Sequence, residues 1–159
     1  LVLAILCVLG ISACGFEAPT TSTVKTPYWA SLRYSETNMR VGPSREYPVE
    51  WVYQRKGLPV KVLRTRDEWW LVTDVEGTKG WISRSQLAPA RSGGVTGDAA
   101  IALRKAPEES GEELWQAEPG VIAKLVACEA DWCEIDVAGR SGWVEAGRLW
   151  GDEDLSPAS

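Results

Sequence analysis

The side chains that most often carry enzymatic chemistry are scarce in this sequence of 159 residues. Histidine is absent, which removes the commonest general base together with every Ser–His, Cys–His and His–metal arrangement. Chemistry based on lysine or on carboxylates stays open, but the sequence contains no nucleophile elbow, phosphate-binding loop or dinucleotide-binding turn. We therefore predict a protein that is not an enzyme and that uses neither a cofactor nor a metal.

An uncharged apolar run, LVLAILCVLGISA, occupies residues 1–13. About 20 residues are needed to span a bilayer, so the run is typical of the hydrophobic region of a secretory signal, here expected to lack its basic start. The residues ISAC, ending at Cys14, resemble the bacterial lipobox, in which the signal is cut before a cysteine that carries lipid. We expect Cys14 to be a lipid anchor, with an ordinary cleaved signal as the alternative, and the Thr-rich residues 14–28 to be a flexible tether.

Two further cysteines, Cys128 and Cys133, are separated by four residues in the stretch CEADWC. If these residues flank a turn, the two cysteines face each other across a hairpin. Exported chains favour oxidation of such a pair, and a zinc site would need two more ligands in a chain without histidine. We predict a disulfide, with a modest entropic gain because its loop is short.

The chain contains two copies of one pattern. The matched positions are Gly57 with Gly120 and Trp69 with Trp132, both 63 apart, and Gly77 with Gly139, Trp81 with Trp143 and Leu87 with Leu149, all 62 apart. Each copy has short strand-like stretches and a tight turn whose glycine suits a positive φ, and neither copy keeps a helical period. Closely spaced short strands predict a small β-barrel.

The boundaries of the predicted domains follow from composition. We predict an all-β chain with two tandem small β-barrels, at residues 29–88 and 99–151, the second divergent. The Gly-rich residues 89–98 are predicted to be a short linker. The acidic residues 152–159 are predicted to be a disordered tail.

The first copy resembles the bacterial SH3-like domain. The motifs that carry the resemblance are NMRVGPS at 38–44, YPV at 47–49, GLPVKV at 57–62, Trp69, and GWI at 80–82. The second copy is similar but degraded, with IALRKAP at 101–107 in place of the first motif. The resemblance implies a barrel of five or six strands, export to the cell envelope, and binding of peptidoglycan or peptides. It also implies that Asn38 and Arg40 shape the first loop, whereas the Pro-rich-peptide site of eukaryotic SH3 domains is not recognisable.

Nine tryptophans accompany a single phenylalanine, and such rings can fill a core or bind a partner. The four that recur in both copies, Trp69, Trp81, Trp132 and Trp143, are predicted to form the barrel core. Trp70 has no aromatic twin because Cys133 takes its place, and since neighbouring strand residues face opposite ways, one of Trp69 and Trp70 should be exposed. The candidate binding face comprises Trp70, Tyr47, Trp51, Tyr53, Arg55 and Lys56, with packing between the barrels as the alternative.

Charge is divided unevenly between the two copies. Residues 28–91 hold 11 Lys and Arg against 7 Asp and Glu, a net charge of +4, whereas residues 92–159 hold 5 against 14, a net charge of −9. Two solvated surfaces of opposite sign would explain this division. Mutual docking of the barrels, or contact of the first barrel with anionic cell-wall material, would explain it equally well.

These observations predict an exported binding module of the cell envelope, periplasmic or anchored in the outer membrane. We expect it to recognise cell-wall peptide or glycan, or an envelope protein, mainly through its first copy. It is expected to meet the membrane only through a lipid anchor and to bind no nucleic acid, since its net charge is −5. The alternative is a structural or accessory protein whose paired barrels scaffold a partner such as a cell-wall hydrolase.

Overall fold

The computed structural model describes residues 25–153 and forms two β-barrels in that range. The first comprises β1 (Tyr28–Leu32), β2 (Thr37–Arg40), β3 (Val49–Tyr53), β4 (Pro59–Arg66), β5 (Trp69–Thr73), β6 (Lys79–Ser83) and β7 (Leu87–Ala88). The second comprises β8 (Ser92–Val95), β9 (Ile101–Arg104), β10 (Glu113–Ala117), β11 (Ile122–Glu129), β12 (Trp132–Val137), β13 (Arg140–Glu145) and β14 (Leu149–Trp150). Short 3₁₀ segments at Arg84–Gln86 and Ala146–Arg148 precede β7 and β14. The all-β prediction is confirmed.

The described residues leave out parts of the chain on which several predictions fall. The signal at 1–13, the lipid-anchor residue Cys14 and most of the tether lie outside them, as do residues 154–159 of the predicted tail. Between residues 25 and 153, no helix is both long and apolar enough to cross a membrane.

The repeat extends to the pairing of the strands. The first sheet has the order β3-β2-β6-β5-β4-β1-β7, and the second has the matching order β10-β9-β13-β12-β11-β8-β14. We call β1–β7 barrel 1 and β8–β14 barrel 2. The predicted hairpin glycines, Gly77 and Gly139, have φ of +85° and +86°, a conformation that glycine adopts without steric cost.

Strand β8 lies within the predicted linker. Residues 89–98 are not all linker, because Ser92–Val95 pairs with both β11 and β14, as β1 pairs with β4 and β7. A Cβ on Gly93 or Gly94 would lie 3.4 Å from a side-chain carbon of β11, an ordinary packing distance, so the two glycines are compatible with a paired strand. The linker is therefore shorter than predicted, and barrel 2 begins at residue 92.

Each barrel closes over its own apolar cluster. Barrel 1 buries Ala30, Leu32, Met39, Tyr53, Val60, Val62, Val72, Ile82 and Leu87, and barrel 2 buries Val95, Ile101, Leu103, Ala117, Ala123, Leu125, Cys133, Ile135, Val144 and Leu149. A glycine lets two strands cross closely over each cluster. A Cβ on Gly80 would lie 2.5 Å from Met39, and one on Gly142 would lie 2.7 Å from Leu103. The glycine before each recurring Gly-Trp tryptophan is thus a packing requirement.

Alternation along β5 directs Trp70 inward and Trp69 outward. Val72 is fully buried in the core of barrel 1, and Trp70, two residues earlier, packs against the same cluster. Trp70 also meets Tyr28 edge-on, with ring centres 5.6 Å apart. Because successive side chains of a strand point to opposite faces, Trp69 lies on the outer face. The prediction that Trp70 belongs to an exposed binding face is therefore wrong.

The recurring tryptophans lie outside both core clusters. Of the four, only Trp81 is buried, with 7% of its surface exposed, and Trp69, Trp132 and Trp143 remain partly exposed. At the end of β6 it is the next residue, Ile82, that enters the core, while the Arg64 guanidinium covers the Trp81 ring at 5.3 Å. The core prediction is wrong for the other three, because it took recurrence as a sign of the inner face.

The predicted disulfide between Cys128 and Cys133 is confirmed. The two residues lie directly opposite each other in the β11–β12 hairpin. Cys133 is fully buried and pairs with Val144 as Trp70 pairs with Ile82, so the two residues are equivalent inward positions. Barrel 2 therefore places a disulfide where barrel 1 places an indole ring.

The two barrels contact each other directly. Trp29 is buried and meets Trp150 edge-on, with ring centres 4.9 Å apart. The Ser92 hydroxyl donates to the Gly57 carbonyl oxygen at 2.6 Å. At the start of the predicted tail, the Glu153 carboxylate lies 2.6 Å from Lys61 Nζ. Trp29 is therefore part of the contact between the two barrels.

Replacing each of the two neighbouring tryptophans of β5 tests which one lies on the inner face of the sheet. We expect Trp70→Ala to lower the free energy of unfolding of barrel 1 by about 3 kcal/mol, because it leaves a cavity against the core. Trp69→Ala should lower it by less than about 1 kcal/mol. Urea denaturation followed by far-ultraviolet circular dichroism measures both values. Equal losses, or a larger loss for Trp69→Ala, would contradict the assignment of the two faces.

Removing the disulfide tests its contribution to barrel 2. The double variant Cys128→Ala with Cys133→Ala should lower the free energy of unfolding by about 2 kcal/mol, as expected for a short closed loop. Reductant should destabilise the original protein similarly and leave the variant unchanged. Free thiols at both positions in the oxidised protein would show that the bond does not form.

Candidate functional site

Both barrels carry a groove at the same place on their outer face. The barrel-1 groove is lined by Asn38, Arg40, Arg45, Trp69, Ser83, Ser85 and Gln86 and has a volume of about 300 Å³. The barrel-2 groove is lined by Ala100, Ile101, Ala102, Arg104, Trp132, Glu145 and Arg148 and has a volume of about 180 Å³. The recurring tryptophan of β5 or β12 therefore forms one wall of a surface groove in each copy.

Strand register explains why these groove residues come together. Trp69 stands opposite Ser83 in the β5–β6 pair, and Arg40 stands opposite Trp81 in the β2–β6 pair. Opposed residues of an antiparallel pair lie on the same face of the sheet. Since Trp70 and Ile82 take the inner face, their neighbours Trp69 and Ser83 share the outer one.

An arginine in each groove fixes the neighbouring loop. Arg40 Nη1 donates to the carbonyl oxygen of Tyr47 at 2.7 Å, and Arg104 Nη1 donates to that of Gly111 at 3.0 Å. In barrel 1 the Tyr47 ring lies over Gly42, where a Cβ would come within 2.6 Å of it. Arg40 therefore shapes the first loop, as the family resemblance implied, and presents its other guanidinium N–H groups at the groove.

The two grooves differ in charge and in polar groups. Asn38, Ser83 and Gln86 of barrel 1 correspond to Ala102, Glu145 and Arg148 of barrel 2. Each groove contains two arginines, but the barrel-1 groove has no acidic residue in its lining, whereas Glu145 lines the barrel-2 groove. The barrel-1 groove can therefore hydrogen-bond a polar ligand and attract an anionic group without opposition from a lining carboxylate.

A second exposed feature is the edge strand of each sheet. In β3, Trp51 is 53% exposed, and in the preceding loop Tyr47 is 46% exposed. In β10, Trp115 is 44% exposed and pairs with Leu103 as Trp51 pairs with Met39. Trp51 therefore has a twin that the sequence analysis missed, because the offset is 64 residues before the β3–β4 loop and 63 after it. Allowing one gap in that loop would have found it.

Tyr53 does not belong to an exposed face. Its side chain is buried, and its hydroxyl donates to the Asp74 carboxylate at 2.8 Å. Burial, together with this hydrogen bond, raises the pKa of the Tyr53 hydroxyl above its ordinary value. Its placement in the candidate binding face is wrong, because Tyr53 is the single buried residue of β3 and its hydroxyl is bound to Asp74 inside the barrel.

The remaining residues of the candidate face lie beside the other barrel. Arg55 lines a crevice shared with Gly120 and Trp150, and Lys56 lines a wider crevice shared with Lys124. The structure therefore leaves Tyr47 and Trp51 exposed on barrel 1 and moves the two cations to the junction between the barrels. The predicted face is not one continuous surface.

The chemistry that the grooves offer is that of binding. Their lining groups are an indole, guanidinium, amide and hydroxyl groups, and one carboxylate in barrel 2. Across residues 25–153, no group of three or more His, Cys, Asp or Glu side chains is placed to hold a metal ion.

Comparison with known proteins gives one family and several solved structures. Residues 33–89 and 97–151 each match the family described as bacterial SH3 domain. No curated protein matches the chain. Similar solved structures are NlpC1 and NlpC2 from Trichomonas vaginalis, at 12% and 11% identity and a TM-score of 0.36 each, covering 81% and 79% of this chain. A NlpC/P60 family protein from Bacillus cereus has 14% identity and a TM-score of 0.35 and covers 77% of this chain.

The chain is shorter than these structures and covers 47%, 48% and 55% of their respective lengths. The family match, by contrast, includes most of each barrel and more than half of the chain. The resemblance expected from the NMRVGPS and GWI motifs is thereby confirmed. The chain belongs to the bacterial SH3 domain family, whose members are typically non-catalytic cell-wall binding modules.

Proposed function

We propose that this chain is a non-catalytic binding module of the cell envelope and that it recognises peptidoglycan mainly through the barrel-1 groove. The observation that carries the proposal is the composition of that groove, in which Trp69 stands beside Arg40 and Arg45 with no acidic residue in the lining.

The groove residues complement the groups that cell-wall polymers expose. An indole face packs against apolar ring and side-chain surfaces while keeping a polar edge. The guanidinium groups of Arg40 and Arg45 suit the carboxylates of wall peptides, since arginine binds carboxylate through paired hydrogen bonds. The hydroxyls of Ser83 and Ser85 lie 3.0 Å apart and offer both donors and acceptors to amide or sugar groups.

The net charge of barrel 1 also favours contact between barrel 1 and the cell wall. Residues 28–91 carry a net charge of +4 in a chain of net charge −5. A basic barrel is attracted to an anionic polymer, and the acidic barrel 2 is repelled from it. Because exposed charges are screened over about 8 Å at physiological salt, binding should weaken as salt is raised.

Export and anchoring complete the proposal. The Cys128–Cys133 disulfide suits an oxidising compartment, which supports a periplasmic or outer-membrane-anchored location. Lipid on Cys14 would hold the chain at the membrane, since each buried CH₂ contributes about 0.8 kcal/mol.

Metabolic labelling with an alkyne fatty acid tests the anchor. We expect the original protein to incorporate the label and to fractionate with membranes, and Cys14→Ala to lose both properties. A label that persists in Cys14→Ala would place the lipid elsewhere, and an unlabelled original protein would remove the anchor from the proposal.

A second function is favoured by the exposed edge strands. β3 and β10 end their sheets, and Val49, Trp51, Val52, Leu114 and Trp115 are exposed along them. Edge strands with exposed apolar residues are ready sites for pairing with another chain. Paired barrels could thus scaffold a partner protein such as a cell-wall hydrolase.

Sedimentation with purified peptidoglycan sacculi tests the first function. We expect Trp69→Ala and Arg45→Glu each to weaken binding about tenfold, which corresponds to the loss of about 1.4 kcal/mol. Trp132→Ala, the matched change in barrel 2, should bind as the original protein does. High salt should weaken binding of the original protein more than that of Arg45→Glu.

Two outcomes would reject the barrel-1 groove as the site. Either the original protein fails to sediment with sacculi at low salt, or Trp69→Ala and Trp132→Ala bind equally well. A loss on Trp51→Ala alone, with cross-links to a protein partner that the same change removes, would favour the scaffold function.

A further inference from the structure

Barrel 2 contains a pocket at a position where barrel 1 has a side chain. Leu103, Ala117, Val121 and Val137 line it, and Trp115 and Arg140 lie at its rim. Its volume is about 330 Å³. We call this site the Ala117 pocket. It lies apart from the barrel-2 groove, with which it shares no lining residue.

The equivalent space in barrel 1 is occupied by a phenol ring. Ala117 stands opposite Ile101 as Tyr53 stands opposite Thr37, so Ala117 and Tyr53 are equivalent. The Tyr53 hydroxyl donates to Asp74 at 2.8 Å and lies 3.6 Å from Met39 Sδ.

The two barrel-1 residues that contact the Tyr53 hydroxyl, Met39 and Asp74, have less polar counterparts in barrel 2. Strand pairing matches Asp74 to Val137 and Met39 to Leu103. Barrel 2 therefore lacks both the tyrosine ring and the carboxylate that accepts a hydrogen bond from the tyrosine hydroxyl. The space that remains is lined largely by apolar groups and suits an aromatic or branched aliphatic group.

The rim of the pocket carries a cation in place of the missing ring. In barrel 1, Trp51 meets Tyr53 edge-on at 6.5 Å. In barrel 2, the equivalent Trp115 instead has the Arg140 guanidinium over its face at 4.8 Å. Among the described residues, no hydrogen bond or ion pair occupies the Arg140 side chain, so its N–H groups are free for a ligand.

We propose that the Ala117 pocket binds a hydrophobic group attached to a carboxylate, as at the C-terminal end of a peptide whose last residue is aromatic or branched aliphatic. The hydrophobic side chain enters the space that Tyr53 fills in barrel 1, and the carboxylate pairs with Arg140. Glu118 also lines the pocket and repels a carboxylate, which leaves the Arg140 side for it. This site goes beyond the proposed function, because it lies on barrel 2 and does not involve the barrel-1 groove.

Nuclear magnetic resonance titration of the full chain with N-acetyl-phenylalanine tests the proposal. We expect saturable shifts of the Trp115 indole and Ala117 methyl signals. N-acetyl-phenylalaninamide, which lacks the carboxylate, should bind about tenfold more weakly, because it loses a charge-assisted hydrogen bond. Ala117→Tyr should abolish binding by restoring the ring of barrel 1, and Arg140→Gln should reduce binding of the acid to the level of the amide.

The control and the contrary outcomes are equally defined. Trp51→Ala, the matched rim change in barrel 1, should leave binding unchanged. Absence of saturable shifts in the original protein, or undiminished binding in Ala117→Tyr, would overturn the proposal. If Ala117→Tyr unfolds barrel 2, seen as a loss of its dispersed signals, the exposed-site variant Arg140→Gln provides the test instead. Equal binding of the acid and the amide to the original protein would also overturn the proposal. None of these results depends on whether the protein binds sacculi.

Discussion

The alternation of side chains across a single sheet is the constraint on which the rest of this structure depends. In β5 and β12 one residue of each adjacent pair must fill a small core and the other must face away from it. Trp70 and Cys133 take the inner position. Trp69 and Trp132 are thereby placed on the outer face, where each forms a wall of a groove. The inner position decides stability, and the outer position is free to serve binding.

The two barrels satisfy the same constraint with different chemistry. Barrel 1 uses the ring of Trp70, supported by Tyr28, whereas barrel 2 uses a disulfide at Cys133. A similar exchange occurs at the end of β3 and β10, where a hydrogen-bonded tyrosine is replaced by Ala117. The two copies therefore share one strand order but fill equivalent inward positions with different side chains. Contact between Trp29 and Trp150 joins the two copies side by side.

Much of the fold could be predicted from the sequence, because turns and strand motifs are local. Gly77 and Gly139 marked the hairpins, and the spacing of Cys128 and Cys133 indicated the disulfide. Strand β8 was missed because Gly93 and Gly94 are typical of a linker, and only the structure shows that this segment pairs with β11 and β14. Glycine in a sequence indicates freedom or close packing, and only the neighbouring strand distinguishes the two.

The site was harder to predict than the fold. The recurrence of Trp69 and Trp132 showed that the position matters but not which face it occupies, and the two faces differ by one residue of register. Trp115 was missed because the β10–β11 loop is one residue shorter than the β3–β4 loop, so the spacing between matched residues changes from 64 to 63. Arg55 and Lys56 follow the aromatic residues of β3 in the sequence, but in the structure barrel 2 lies beside them. Contacts between domains produce no pattern in the neighbouring sequence.

Fluorine nuclear magnetic resonance of protein labelled with 5-fluorotryptophan would show which tryptophan contacts the cell wall. The nine tryptophan signals can be assigned by single Trp→Phe replacements and followed during titration with soluble peptidoglycan fragments. We expect the Trp69 signal to shift saturably while those of Trp70 and Trp132 stay in place. A Trp69 signal that does not move while Trp70 or Trp132 shifts would contradict this expectation.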